Sequence, residues 1–138
     1  MASGIYNEFK GDILKKVHDL VNDTVKVALL TSSAAFDADN DNWADISSNE
    51  VSGTGYTAGG AALGSKTVTV DNTNDRASWD GADVTWPTST ITARFAAVYD
   101  DTHANDRLIC LFDFGSNQSS SNGDFTIQWH ANGLILLT

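Results

Sequence analysis

Proline and cysteine are almost missing: the 138 residues hold one of each. A single cysteine excludes an intrachain disulfide and leaves no basis for a cysteine-built metal site. Cys110, inside Leu108-Ile109-Cys110-Leu111-Phe112, therefore reads as a small buried hydrophobe. Positive charge is also scarce. Eight Lys and Arg stand against 18 Asp and Glu, a formal charge of -10. That balance opposes non-specific nucleic-acid binding, which needs cations against phosphates, and it opposes docking on anionic lipid. No apolar run nears the roughly 20 residues of a membrane span. The N-terminus lacks the basic and apolar regions of a signal peptide. Gly53-Thr54-Gly55, followed by Tyr56, lacks the strand–loop–helix setting of a phosphate-binding loop.

What is plentiful is Asn, Ser, Thr, Asp and Gly, the residues of tight turns in β proteins. The length suggests one domain, residues 1–138, able to bury a real core. Residues 1–22 differ from the rest. Ile5, Phe9, Ile13, Val17 and Val21 recur every fourth residue, which predicts an amphipathic helix of about four to five turns. Ser3 is its expected N-cap, and Lys15, Lys16 and His18 suit the negative end of its dipole.

Residues 23–138 read as short strands. Thr24 to Thr31 is the first, with Val25, Val27 and Leu29 on one face and Thr24, Lys26 and Ala28 opposite; Leu30, on the polar face, points to a central place. A long irregular stretch, 32–64, follows, with a helical turn expected near Trp43 and Ile46 and a glycine-rich loop at Gly53, Gly55, Gly59 and Gly60. A loop that long is functional or pinned by partners. Lys66 to Val70 and Arg76 to Trp79 form an expected hairpin. Asp83 to Trp86 is stopped by Pro87, and Thr90 to Tyr99 and Arg107 to Phe114 follow as longer strands. At the C-terminus, Phe125, Ile127 and Trp129 alternate with polar residues, and Asn132-Gly133 is a strong hairpin signal. A two-residue turn there would set Trp129 opposite Leu136, leaving Ile135 and Leu137 on a second apolar face. The expectation is a mainly β, antiparallel β-sandwich or jelly-roll-like fold with one N-terminal amphipathic helix.

Reactive constellations are hard to find. Asp37, Asp39 and Asp41 begin like a calcium loop, but Asn42 stands where glycine belongs and Ser48 where the closing glutamate belongs. Asp71, Thr73 and Asp75 repeat the spacing more weakly, with Ala82 in the closing position. His18, His103 and His130 are scattered over a helix, a loop and a strand, and Asp80 with Asp83 makes a carboxylate pair only in sequence. Trp43, Trp79, Trp86 and Trp129 could stack on sugars, although such residues more often anchor cores and interfaces. The reading is of a non-enzyme without a cofactor. Its interface candidates are Ile5, Tyr6, Phe9, Trp43, Tyr56, Trp86, Ile135 and Leu137.

Gly4-Ile5-Tyr6-Asn7 with Phe9, Val27-Ala28-Leu29-Leu30, Gly53-Thr54-Gly55-Tyr56, and Gln128-Trp129 with Asn132-Gly133 resemble a family of small proteins encoded among tailed-bacteriophage structural genes. The resemblance covers nearly the whole chain. It implies a virion component, made in the bacterial host cytoplasm, and no catalytic residues. A capsid decoration (cement) protein is the first expectation. Its partners would be sister copies, with a trimer favoured, and the major capsid or other virion proteins, and neither nucleic acid nor membrane. A receptor- or glycan-binding module of a tail fibre or baseplate is the alternative.

Overall fold

The computed structural model describes residues 3–138. The fold is mainly β, antiparallel and sandwich-like, without a closed barrel. A five-stranded sheet in the order β1-β8-β7-β2-β3 contains β1 (Gly4–Ile5), β2 (Val25–Leu30), β3 (Ala61–Ala62), β7 (Thr92–Asp100) and β8 (Arg107–Ser119). A three-stranded sheet, β10-β5-β4, is made by β4 (Thr67–Asp71), β5 (Arg76–Asp80) and β10 (Ile135–Leu137). β6 (Val84–Ser89) and β9 (Gly123–Ile127) form a two-stranded ribbon. Side chains from all three sheets meet in one buried cluster.

β2 and β7 are buried on both faces over Val27 to Leu30 and Phe95 to Tyr99, apolar runs that suit central strands. They pair in register from Val25 opposite Asp100 to Leu30 opposite Phe95. The β4–β5 hairpin forms as expected, with Val70 opposite Ala77 and Asp71 opposite Arg76. The Asp71 carboxylate closes its turn by accepting from the Thr73 and Asn74 amides. The helical turn α2 (Trp43–Ile46) also forms. Its cap is Asn42, whose amide donates to the Asp45 carboxylate at 2.9 Å.

The long first helix is not there. α1 covers only Asn7–Leu14; Met1 and Ala2 of the expected 1–22 span lie outside the described residues. Upstream, Gly4 and Ile5 pair with Leu111 and Cys110. A side chain at Gly4 would lie 2.3 Å from the Phe36 ring, so the glycine lets the strand lie flat there. Ser3 Oγ accepts from the Asp113 amide, and Tyr6 occupies the N-cap without a side-chain bond. Downstream, Lys16 takes a φ of 60° and ends the helix. Asp19 then organises residues 19–22 into a turn by accepting from the amides of Val21 and Asn22.

Three strand expectations also change. Asn132-Gly133 does turn the chain: the Gly133 amide donates to the His130 carbonyl at 2.8 Å, with Gly133 at a φ of 86°. The strands on either side of that turn do not pair. β9 pairs with β6, and β10 crosses to β5, with Ile135 opposite Trp79 and Leu137 opposite Ala77. β5 offers an open backbone edge, and α1 lies near enough to cover the face that Ile135 presents. β6 runs through Pro87 because the register with β9 shifts between Trp86 and Ser89, so Pro87 falls in an irregularity where no ladder bond is asked of it. β8 continues to Ser119, since Ser119 and Gln118 pair with Thr92 and Ala93 in a segment exposed on both faces and so without alternation.

The glycine-rich loop is pinned to the chain's own core. Glu50 accepts from Tyr56 Oη and from the Gly59 amide, both at 2.7 Å. Tyr56 Oη in turn accepts from the Leu29 amide, and Tyr99 Oη donates to the Gly59 carbonyl. Hydrogen bonds to a charged acceptor contribute about 1.5–3 kcal/mol. Glu50→Ala is therefore expected to lower the unfolding free energy by about 2 kcal/mol in a urea titration, with Glu50→Gln losing less.

Candidate functional site

Most of the expected interface residues belong to the protein's own interior. Tyr6, Phe9, Trp86 and Ile135 are buried, and Ile5, Trp43 and Tyr56 are half-buried. Leu137 alone of the eight is open, at 53% exposure. The physical reason is the short α1: its apolar side chains cover the Ile135 side of the three-stranded sheet and leave Leu137 at the rim. Ile5, Phe9, Ile13, Leu20, Trp79, Ile135 and Leu137 line an almost wholly apolar groove of about 150 Å³.

Val68 joins that groove to a second apolar area. It borders the groove, and it also borders a shallow depression lined by Val17, His18, Leu20, Val21 and Asp23. Val68, Val70, Val17 and Val21 are 53%, 67%, 38% and 44% exposed. β4 itself is an outer strand of its sheet, and every residue in it except Asp71 is exposed. An unpaired strand carrying apolar side chains is a template for pairing with another chain. The signal was in the sequence, in the alternation of Val68 and Val70 with Thr67 and Thr69, but nothing there marked β4 as an outer strand.

The tryptophans offer no open stacking platform. Trp86 is buried against Phe125 and Tyr56. Trp43 lies flat on Tyr99, ring centres 4.9 Å apart. Trp79 is buried and donates Nε1–H to the Leu20 carbonyl, and Trp129 donates Nε1–H to the Ala82 carbonyl. The acidic loop is committed to turn and edge roles. Asp37 accepts from the Asp39 amide, Asp39 accepts from Asn7 Nδ2, and the Asp41 carbonyl accepts from the Leu108 amide at the start of β8. Among the described residues, these three aspartates are not part of a grouping that could hold a metal ion. Cys110 is buried beside Ile109 and Leu111, and burial pushes its thiol pKa well up.

A charged cluster lies under α1 instead. The His18 side chain is wholly buried, with Nδ1 at 2.6 Å from Asp100 Oδ2 and Nε2 at 3.3 Å from Asp12 Oδ2. Arg107 Nε lies 3.2 Å from the same Asp12 oxygen. Asp12 and Asp100 are each 1% exposed. The Asp12 contacts are ionic, for Asp12 Oδ2, His18 Nε2 and Arg107 Nε have no well-aligned hydrogen-bond partner. Burial disfavours the His18 imidazolium, yet the carboxylates of Asp100 and Asp12 outweigh it and hold its pKa above the ordinary value. Burial also raises the Asp23 carboxyl, helped by the neighbouring Asp100 carboxylate. Burial pushes Asp100 the same way, but hydrogen bonds from His18 and Asp23 hold it low. Reading His18 as a dipole partner hid this cluster; its members are up to 95 residues apart in sequence, from Asp12 to Arg107.

No family model, curated protein or solved structure matches this chain. No helix among the described residues is long and apolar enough to cross a membrane.

Proposed function

We propose that this chain is a structural protein that works by burying surface against sister copies and a larger shell, as a bacteriophage capsid decoration protein does. The observation that carries the reading is the apolar face of Val68, Val70 and Leu137 beside the unpaired edge of β4. Such a face next to an open strand favours a second chain that supplies both backbone bonds and apolar cover. The net charge of -10 suits a protein that stays soluble while one side is committed to contact. The sequence resemblance to tailed-phage structural proteins adds the virion as the setting.

The chain is expected to run as an oligomer, a trimer by preference, in light scattering at micromolar concentration. Val68→Asp and Leu137→Asp put a charge on that face at half-exposed positions, so each is expected to give a folded monomer whose melting temperature equals that of the wild type diluted until it too is monomeric. A wild-type monomer, or variants that assemble normally, would refute the assembly face. The virion setting is tested separately by copy number. Several hundred copies per purified particle are expected, on a gel beside the major capsid protein, and a handful would rule out decoration.

A further inference from the structure

We propose that His18, Asp23 and Asp100 form a binding site for one divalent transition-metal ion of the zinc type. One ligand atom from each, His18 Nδ1 and a carboxylate oxygen of the two aspartates, lies within 4.8 Å of the others. Zinc bonds to nitrogen and carboxylate oxygen are about 2.0–2.2 Å long, so ligand atoms on one tetrahedral ion stand about 3.4 Å apart, and side-chain rotation that brings the three atoms to that spacing puts one ion on all of them. One imidazole with two carboxylates suits zinc or its neighbours better than calcium, which takes six to eight oxygens. Closing a tetrahedron needs the Nδ1-to-Oδ2 separation, now 2.6 Å, to open by roughly 0.8 Å.

The surroundings are built as such sites are built. Asp12 faces the far nitrogen of the ring, Nε2, at 3.3 Å and is itself held by Arg107. A carboxylate on the far nitrogen of a metal-binding histidine draws the ring proton to that side and leaves the other nitrogen free to ligate. In the metal-free protein Nδ1 donates its proton to Asp100 Oδ2 at 2.6 Å, so an ion would take the place of that proton, which is released on binding. Backbone amides fix the two aspartates: Asp100 accepts from Thr102 and Asp23 from Asp19. A depression of about 410 Å³, lined by Lys16, His18, Asp19 and Asp23, lies beside the group, while the His18 and Asp100 side chains themselves are closed to solvent. The inference does not rest on the assembly reading, because none of the three ligands lies on β4, although Val68 of that strand borders the same depression.

The test is calorimetric titration of EDTA-treated, dialysed full-length protein with ZnCl2 at pH 7.5, beside thermal melts. One Zn²⁺ per chain is expected, with a melting temperature raised by about 5 °C in excess metal and no rise with Ca²⁺. Asp23→Asn, at a half-buried position, is expected to weaken Zn²⁺ at least tenfold, whereas His130→Ala, on an exposed turn, leaves it unchanged. A readout that needs no variant is the nitrogen NMR signal of the imidazoles: Zn²⁺ should move His18 Nδ1. No heat and no rise in melting temperature in the wild type, an unaltered affinity in Asp23→Asn, or a shift confined to His103 or His130 would each overturn the site.

Discussion

Replacing Gly60 with alanine is expected to destabilise the fold by about 3 kcal/mol or more, through two causes that add. Gly60 sits at a φ of 83°, in the left-handed region, where a side chain costs about 1 kcal/mol. Its missing Cβ would also lie 2.0 Å from the Val27 carbonyl oxygen and 2.7 Å from Ala28 Cα. Those atoms are backbone of β2, which is paired with β7 on one side and β3 on the other, so they cannot step aside as a side-chain tip would. Relief requires lifting residues 59–62 away from β2, which breaks the Ala61–Ala62 pairing and strains the bonds from Glu50 and Tyr99 to Gly59. The midpoint of a urea titration reads the loss. Gly64→Ala is the control: it has the same chemistry, no φ in the left-handed region and nothing within 4 Å of the added carbon, and its midpoint should barely move.

The second large effect is at the ion cluster. Arg107→Met is expected to cost about 3 kcal/mol, because removing one partner of a buried pair leaves the other charge uncompensated. Asp12 would keep His18 at 3.3 Å and Lys15 at 3.7 Å. The Lys15 ammonium is 64% exposed and so screened by water. The diagnostic measurement is the double variant. Arg107→Met with Asp12→Asn removes the stranded charge, so it should be no less stable than Arg107→Met alone. A double loss equal to the sum of the two single losses would show that the two side chains act independently. Hydrogen exchange should place the damage in α1, since Asp12 is the helix's charged tie to the start of β8.

Both effects lie where chain segments remote in sequence press together, and that marks the limit of what the residue string could say. Periodicity and turn chemistry were enough for the mainly β class, for β2 and the Arg107–Phe114 part of β8 as interior strands, for the β4–β5 hairpin and for the helical turn at Trp43. Each of these depends on forces between neighbours along the chain: alternation on a pleated backbone, an aspartate closing its own turn, a cap within three residues. Asn132-Gly133 shows the boundary sharply. The residues dictated a turn and a turn was made, but the strand after it bonded to β5, because the choice of partner depends on which open edge lies nearest. The same holds for α1. A four-residue apolar spacing favoured a long helix, yet Gly4 and Ile5 were claimed by Leu111 and Cys110 in β8, and Lys16 turned left-handed. Folding hid half of the expected interface residues, Tyr6, Phe9, Trp86 and Ile135, while leaving Val68 and Val70 in water. Hydrophobicity alone determines that such side chains seek cover. Only the packing of distant segments decides which of them find it within the chain, and which charges, like those of His18, Asp23 and Asp100, are brought together in the process.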